Sequence, residues 1–140
     1  MILRRAIVVF LLLVAGGCSV APQLTEDDKA QLAARAEARW RALEARDWAT
    51  AYRFMSPAYR NVFSEAMYVS KFSYMVDWEL TSIEVVNYDA RAAVASVAVR
   101  VMSRPAKLTS AASAAIGAVP TRQVERWILN DGEWWYSANL

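Results

Sequence analysis

One side chain in this chain of 140 residues is set up for covalent chemistry by both its type and its neighbours. Cys18 is the single cysteine, and it follows the apolar run Leu11-Leu12-Leu13-Val14 through three small residues, Ala15-Gly16-Gly17. A lone thiol forms no internal disulfide. The chain has no histidine, which excludes a Ser-His-Asp triad, histidine acid–base chemistry and the usual His/Cys zinc sites. The acid–base candidates left are Asp77 and Glu125, with Tyr52, Tyr74 and Tyr136 as phenols. A carboxyl group beside a phenol in apolar surroundings can act as acid or base, because burial raises its pKa. No spacing here requires that chemistry. Asp77 reads equally well as a helix–strand corner and Glu125 as an arginine's partner. No catalytic residue, metal or cofactor is therefore assigned.

Around Cys18 the segments are ordered as in an export signal. Met1 to Arg5 is a short positive region, Ala6 to Val14 an apolar one, and Ala15-Gly16-Gly17 a small-residue cleavage zone. An apolar run this short falls below the about 20 residues of a membrane-spanning helix. Two other readings stay open: ordinary secretory cleavage after Ala21, which would leave Pro22 just past the cut, and a buried structural cysteine. The segment resembles the bacterial lipobox, with Ala15 where leucine is usual. That resemblance implies removal of residues 1–17 and a diacylglycerol on the Cys18 sulfur, with a further acyl chain on the new amino group. Several chains anchor durably where one binds marginally. Ser19 after the cysteine implies the outer membrane, with the protein on its periplasmic face.

The mature part carries no charge bias. Without Arg4 and Arg5, the 16 Lys and Arg become 14, against 14 Asp and Glu. The chain has no basic run, so nucleic acid is not an expected partner. Residues 18–24 form a lipidated tether holding Pro22, and residues 25–140 suit one domain.

The elements that must position any site follow from caps and periodicity. Thr25, with Glu26, Asp27 and Asp28 behind it, starts a helix whose Leu32, Ala36, Trp40 and Leu43 share one face. Arg35, Glu37, Arg39, Arg41 and Glu44 read as its solvated side. Asp47, Ser56-Pro57 and Ser64 each start a further short helix. From Asp77 the period changes to two, predicting strands Trp78–Tyr88 and Ala92–Met102 with a turn near Asp89-Ala90. That register sets Leu80 opposite Val99 and Glu79 opposite Arg100. Ser103 to Pro120 reads as one long mobile connection. Asp131-Gly132 is the hairpin signal of a type I′ turn. It sets Leu129 opposite Trp134 and Trp127 opposite Tyr136, and gives a core face of Trp127, Leu129, Trp134 and Tyr136. The opposite face carries Val124, Ile128 and Trp135 beside Arg122 and Arg126, more apolar than water requires and so a candidate interface.

Helices followed by four strands make an α+β layout. Three stretches resemble the nuclear transport factor 2-like superfamily: Leu43-Glu44-Ala45-Arg46-Asp47-Trp48-Ala49-Thr50-Ala51-Tyr52, then Ser56-Pro57-Ala58-Tyr59-Arg60, and the closing Trp127-Ile128-Leu129-Asn130-Asp131-Gly132-Glu133-Trp134. The resemblance implies N-terminal helices packed on a curved four-stranded antiparallel sheet as a cone, and a pocket between them. On this chain that pocket would be lined by Tyr52, Tyr74, Glu125, Trp127, Trp134 and Tyr136. The resemblance also implies dimerisation through the sheet, but no single activity. The expected function is a lipid-anchored, non-catalytic binding or assembly module of the bacterial envelope. It would be held to the membrane through Cys18 and would meet a second copy or an envelope protein through its sheet. The alternatives are a carrier of a small apolar ligand, or an acid–base enzyme using Asp77 or Glu125. Cys18→Ser should abolish acyl labelling of the protein in its host and release it from membranes; persistent labelling would refute the assignment.

Overall fold

The computed structural model describes residues 22–72 and 76–138. Cys18, its signal segment and Tyr74 lie outside these residues. Helix α1 (Glu26–Glu44) starts from a capping box. The Thr25 hydroxyl accepts from the Asp28 N–H at 3.1 Å, and the Asp28 carboxylate accepts from the Thr25 N–H at 3.0 Å. Hydrogen bonds from the Thr25 hydroxyl and backbone hold the Asp28 carboxyl below its usual pKa. At the other end Arg46 takes the left-handed conformation (φ 57°), its N–H bonds the Leu43 carbonyl, and the Asp47 N–H reaches the Ala42 carbonyl at 2.8 Å. This is a Schellman ending with arginine where glycine is usual.

Helices α2 (Trp48–Arg53), α3 (Pro57–Val62) and α4 (Glu65–Ser70) start at Asp47, Ser56 and Ser64, whose side chains accept the N–H groups of Thr50, Tyr59 and Met67. These are the starts expected from the sequence. Each helix has only six residues, too short to persist without tertiary support.

Strands β1 (Val76–Asp89), β2 (Val94–Pro105), β3 (Val119–Asn130) and β4 (Glu133–Ser137) form one antiparallel sheet in chain order. The molecule is therefore α+β, with helices on a four-stranded antiparallel sheet. The last hairpin has the expected register, Trp127 opposite Tyr136 and Leu129 opposite Trp134, with Asp131 and Gly132 both at positive φ. The first hairpin does not. Leu80 lies opposite Val101 and Glu79 opposite Met102. The Asp89 carboxylate accepts the N–H groups of Arg91 and Ala92, and Ala93 turns left-handed, so the turn spans four residues and its centre moves toward Ala92. Register shifts at Leu80/Ser82 and Val85/Asn87 add one residue each to β1. Arg100 consequently lies near Glu84 at 3.9 Å, and Glu79 pairs with Arg104 at 3.7 Å, both on the exposed surface.

The connection expected over Ser103–Pro120 is shorter and more regular. Ser103 pairs with Val119 and Met102 with Pro120, so both strands extend into it. A further short helix, α5 (Ala111–Ile116), starts from a Ser110 capping box. Leu32, Ala36, Trp40 and Leu43 are all buried against Leu80, Val97, Val99, Val101 and Trp127. Trp78 stands edge-on to Trp40, Trp48 and Phe72, linking α1 and α2 to the sheet.

A second seam joins the short helices to β4. Met55 bridges Tyr136: the Tyr136 N–H bonds the Phe54 carbonyl at 2.8 Å and the Ser56 N–H bonds the Tyr136 carbonyl at 3.0 Å. Ser56 is thus both a buried link to the sheet and the cap of α3. Ser56→Ala keeps the backbone link and removes the cap, and should lower the unfolding free energy by about 1 kcal/mol in urea titration.

Candidate ligand-binding site

At the heart of the site is a buried ion pair between α1 and β3. Arg39 and Glu125 are 5% and 4% exposed. Arg39 Nη1 donates to Glu125 Oε1 at 2.6 Å. The same oxygen accepts from Trp40 Nε1 at 2.9 Å, and Oε2 accepts from Trp127 Nε1 at 3.0 Å. Three N–H donors therefore satisfy both carboxylate oxygens, which is what a buried charge requires. The Arg39 guanidinium also lies over the Tyr136 ring, 3.8 Å from its centre.

Beyond this pair a cavity of about 590 Å³ opens between α3, α4 and the end of β4. Arg39 and Tyr136 line its inner side. Met55, Tyr59, Phe63, Tyr68 and Phe72 form its walls, and Lys71 lies at the rim. The walls are built by the caps: Ser56 starts the helix carrying Tyr59, and Ser64 the helix carrying Tyr68. Tyr52 supports them from behind. Its hydroxyl donates to the Phe63 carbonyl at 2.7 Å and its ring lies 5.5 Å from that of Tyr68.

Four polar groups in this region stand out. Among the described residues the buried Tyr68 hydroxyl has no acceptor for its proton, and Nε of Arg39 is buried without a partner. Burial pushes the Tyr68 phenol up to about 12, against the opposing charge of the Arg39 guanidinium and its hydrogen bonding to the phenol oxygen. Burial likewise raises Tyr136. Lys71 Nζ lies 4.3 Å from the centre of the Phe63 ring and 3.3 Å from the Tyr59 hydroxyl.

Of the residues expected to line a pocket, Tyr136 does so and Glu125 lies directly behind it. Trp127 and Trp134 are buried in the core instead, and Tyr74 lies outside the described residues. The structure adds Arg39, Tyr59, Phe63, Tyr68 and Lys71. Arg39, expected on the solvated face of α1, is buried, because the Glu125 carboxylate and two indole N–H groups converge beside it. Asp77 is at the helix–strand corner, where its carboxylate accepts from Arg46, away from the cavity. On the other sheet face Val124 is exposed and Ile128 half-buried. Trp135 is covered within the chain by the guanidinium groups of Arg35 and Arg60, 4.8 and 4.9 Å from its ring centre.

Among the described residues no helix is long and apolar enough to cross a membrane, and no three His, Cys, Asp or Glu side chains gather as a metal site would need. No family model matches the sequence, and no curated protein matches it. Among solved structures, a SEC-C motif containing protein from Rhodopseudomonas palustris, determined in solution, is similar at 11% identity. The match covers 75% of this chain and 73% of that one, with a TM-score of 0.45.

The ion pair carries a direct consequence. Glu125→Leu leaves the Arg39 guanidinium and two indole N–H groups buried without an acceptor, and should cost roughly 3–5 kcal/mol. Arg39→Met combined with Glu125→Leu removes the stranded charge and should be more stable than Glu125→Leu alone. Urea unfolding of the three proteins checks this; equal loss in the single and double variants would refute it.

Proposed function

We propose that this chain is a lipid-anchored, non-catalytic binding protein of the bacterial envelope, whose helices and sheet form a nuclear transport factor 2-like cone around a small ligand. The observation that carries the reading is the cavity between α3, α4 and β4. It has the volume, the aromatic walls and the few convergent polar groups typical of small-molecule sites. Among the described residues its buried Tyr68 hydroxyl has no acceptor for its proton, and a ligand's acceptor would supply one.

Binding is favoured over acid–base catalysis by the state of the carboxylates. Both oxygens of Glu125 accept N–H groups of Arg39, Trp40 and Trp127, and Asp77 is engaged by Arg46 outside the cavity. Neither carboxylate lines the cavity, so neither is within reach of a proton on a molecule held there, which a general base needs. The anchor is the lipid on Cys18 implied by the export-signal layout, with the domain on the periplasmic side of the outer membrane and the Ser19–Leu24 tether keeping it near the bilayer.

Native mass spectrometry of the protein extracted from its own membranes should reveal a bound small molecule. Ala138→Trp, which fills the cavity from its lining, should remove that molecule while leaving the fold intact by circular dichroism. An empty cavity across independent preparations, or a molecule retained by Ala138→Trp, would overturn the reading.

A further inference from the structure

The cavity is not electrically neutral. Glu125 balances Arg39 and is turned away into its three N–H bonds. Among the described residues no Asp or Glu lines the cavity. Lys71, at its rim, has no carboxylate within 4.0 Å among the described residues. Its ammonium rests instead on the Phe63 and Tyr59 rings and on the Tyr59 hydroxyl. These neutral contacts hold the ammonium in place without cancelling its charge. The Tyr68 hydroxyl, also of the lining, lies buried with no acceptor for its proton among the described residues. One net positive charge at the mouth, aromatic walls and an unanswered hydroxyl among them define a ligand by complementarity.

Resting on the binding reading above, we propose that the cavity takes an aromatic or aliphatic monocarboxylate. The acid group pairs with Lys71 at the rim, the apolar body lies between Tyr59, Phe63 and Phe72, and a hydrogen-bond acceptor on that body receives the Tyr68 hydroxyl. The phenol keeps its proton at neutral pH, since burial holds it up to about 12, so it donates to this acceptor. An ammonium-bearing ligand would meet Lys71 with like charge, and among the described residues no carboxylate of the lining offsets it.

Two photoactivatable probes of matched shape separate these elements. 4-Benzoylbenzoate carries an anion and a ketone; 4-benzoylbenzamide carries the same ketone and no charge. The mature lipidated protein, in phosphatidylcholine vesicles of no net charge, is irradiated with each probe, and labelling of the peptides holding Met55 and Tyr59 is read by mass spectrometry against probe concentration. The carboxylate should half-saturate at about tenfold lower concentration than the amide, the size of one charge-assisted contact. Lys71→Met should raise the carboxylate's value to that of the amide and leave the amide's unchanged, while Lys71→Arg should keep the preference. Tyr68→Phe should weaken both probes alike, by about three- to tenfold. Equal half-saturation in the parent protein, or a preference that survives Lys71→Met, overturns the monocarboxylate assignment and leaves the binding reading standing. Cavity peptides labelled by neither probe overturn the binding reading itself.

Discussion

The helical layer and the sheet are held in register by one buried charge pair. Arg39 comes from the middle of α1 and Glu125 from β3, 86 residues later. Burying either ion alone is prohibitive, so the two elements must meet with the carboxylate inside the reach of the guanidinium. The indoles of Trp40 and Trp127 tighten this requirement, since each donates its only N–H to the same carboxylate. Two of the largest core side chains are thus oriented by a polar interaction. A hydrophobic face alone lets a helix rotate or slide by a fraction of a turn; this four-residue knot ties α1 to one position on β3.

The cavity exists because that knot lies at the edge of the core and not at its centre. On one side of Arg39 lie Trp40, Trp127 and the β2 valines, packed without space. On the other side the chain has only three six-residue helices, each held by its cap and by aromatic contacts. Among the described residues, their backbone tie to the sheet is the Met55–Tyr136 bridge. Short helices joined at angles leave a hollow that a single long helix would have filled. Tyr52, Tyr59, Tyr68 and Phe72 line or back that hollow with rings in tilted and edge-on contacts. Such contacts hold the rings apart as well as together, so the walls stand without collapsing inward.

The local order of the chain was legible from its residues: Thr25, Asp47, Ser56 and Ser64 each cap a helix, and Asp131-Gly132 sets the last hairpin. Those features depend on contacts within a few positions. The first hairpin was less legible, because the Asp89 side chain widens the turn and two bulges in β1 leave no mark in an alternating pattern. Arg39 shows a different limit. Charge alone places it on the solvated side of α1, yet it lies seven residues after Leu32, about 20° around the helix from a buried position. The angular position was readable, but the carboxylate that makes its burial tolerable belongs to β3. The pocket was half legible for the same reason: Tyr136 follows from the hairpin, whereas Tyr59, Phe63, Tyr68 and Lys71 meet it only once the short helices have folded back on β4.

The polar groups of the site divide by what they have left to give. Both oxygens of Glu125 already accept N–H donors, and the Arg39 charge is answered by that carboxylate. What remains is a phenol that keeps its proton and an ammonium resting on aromatic faces. A proton-transfer site needs a group whose charge state changes near working pH, and burial moves Tyr68 away from that condition. The same burial leaves its hydroxyl proton without an acceptor among the described residues, and so available to a bound molecule. Under the binding function proposed above, the desolvation that raises the Tyr68 phenol takes it away from proton transfer and leaves it a hydrogen-bond donor for recognition.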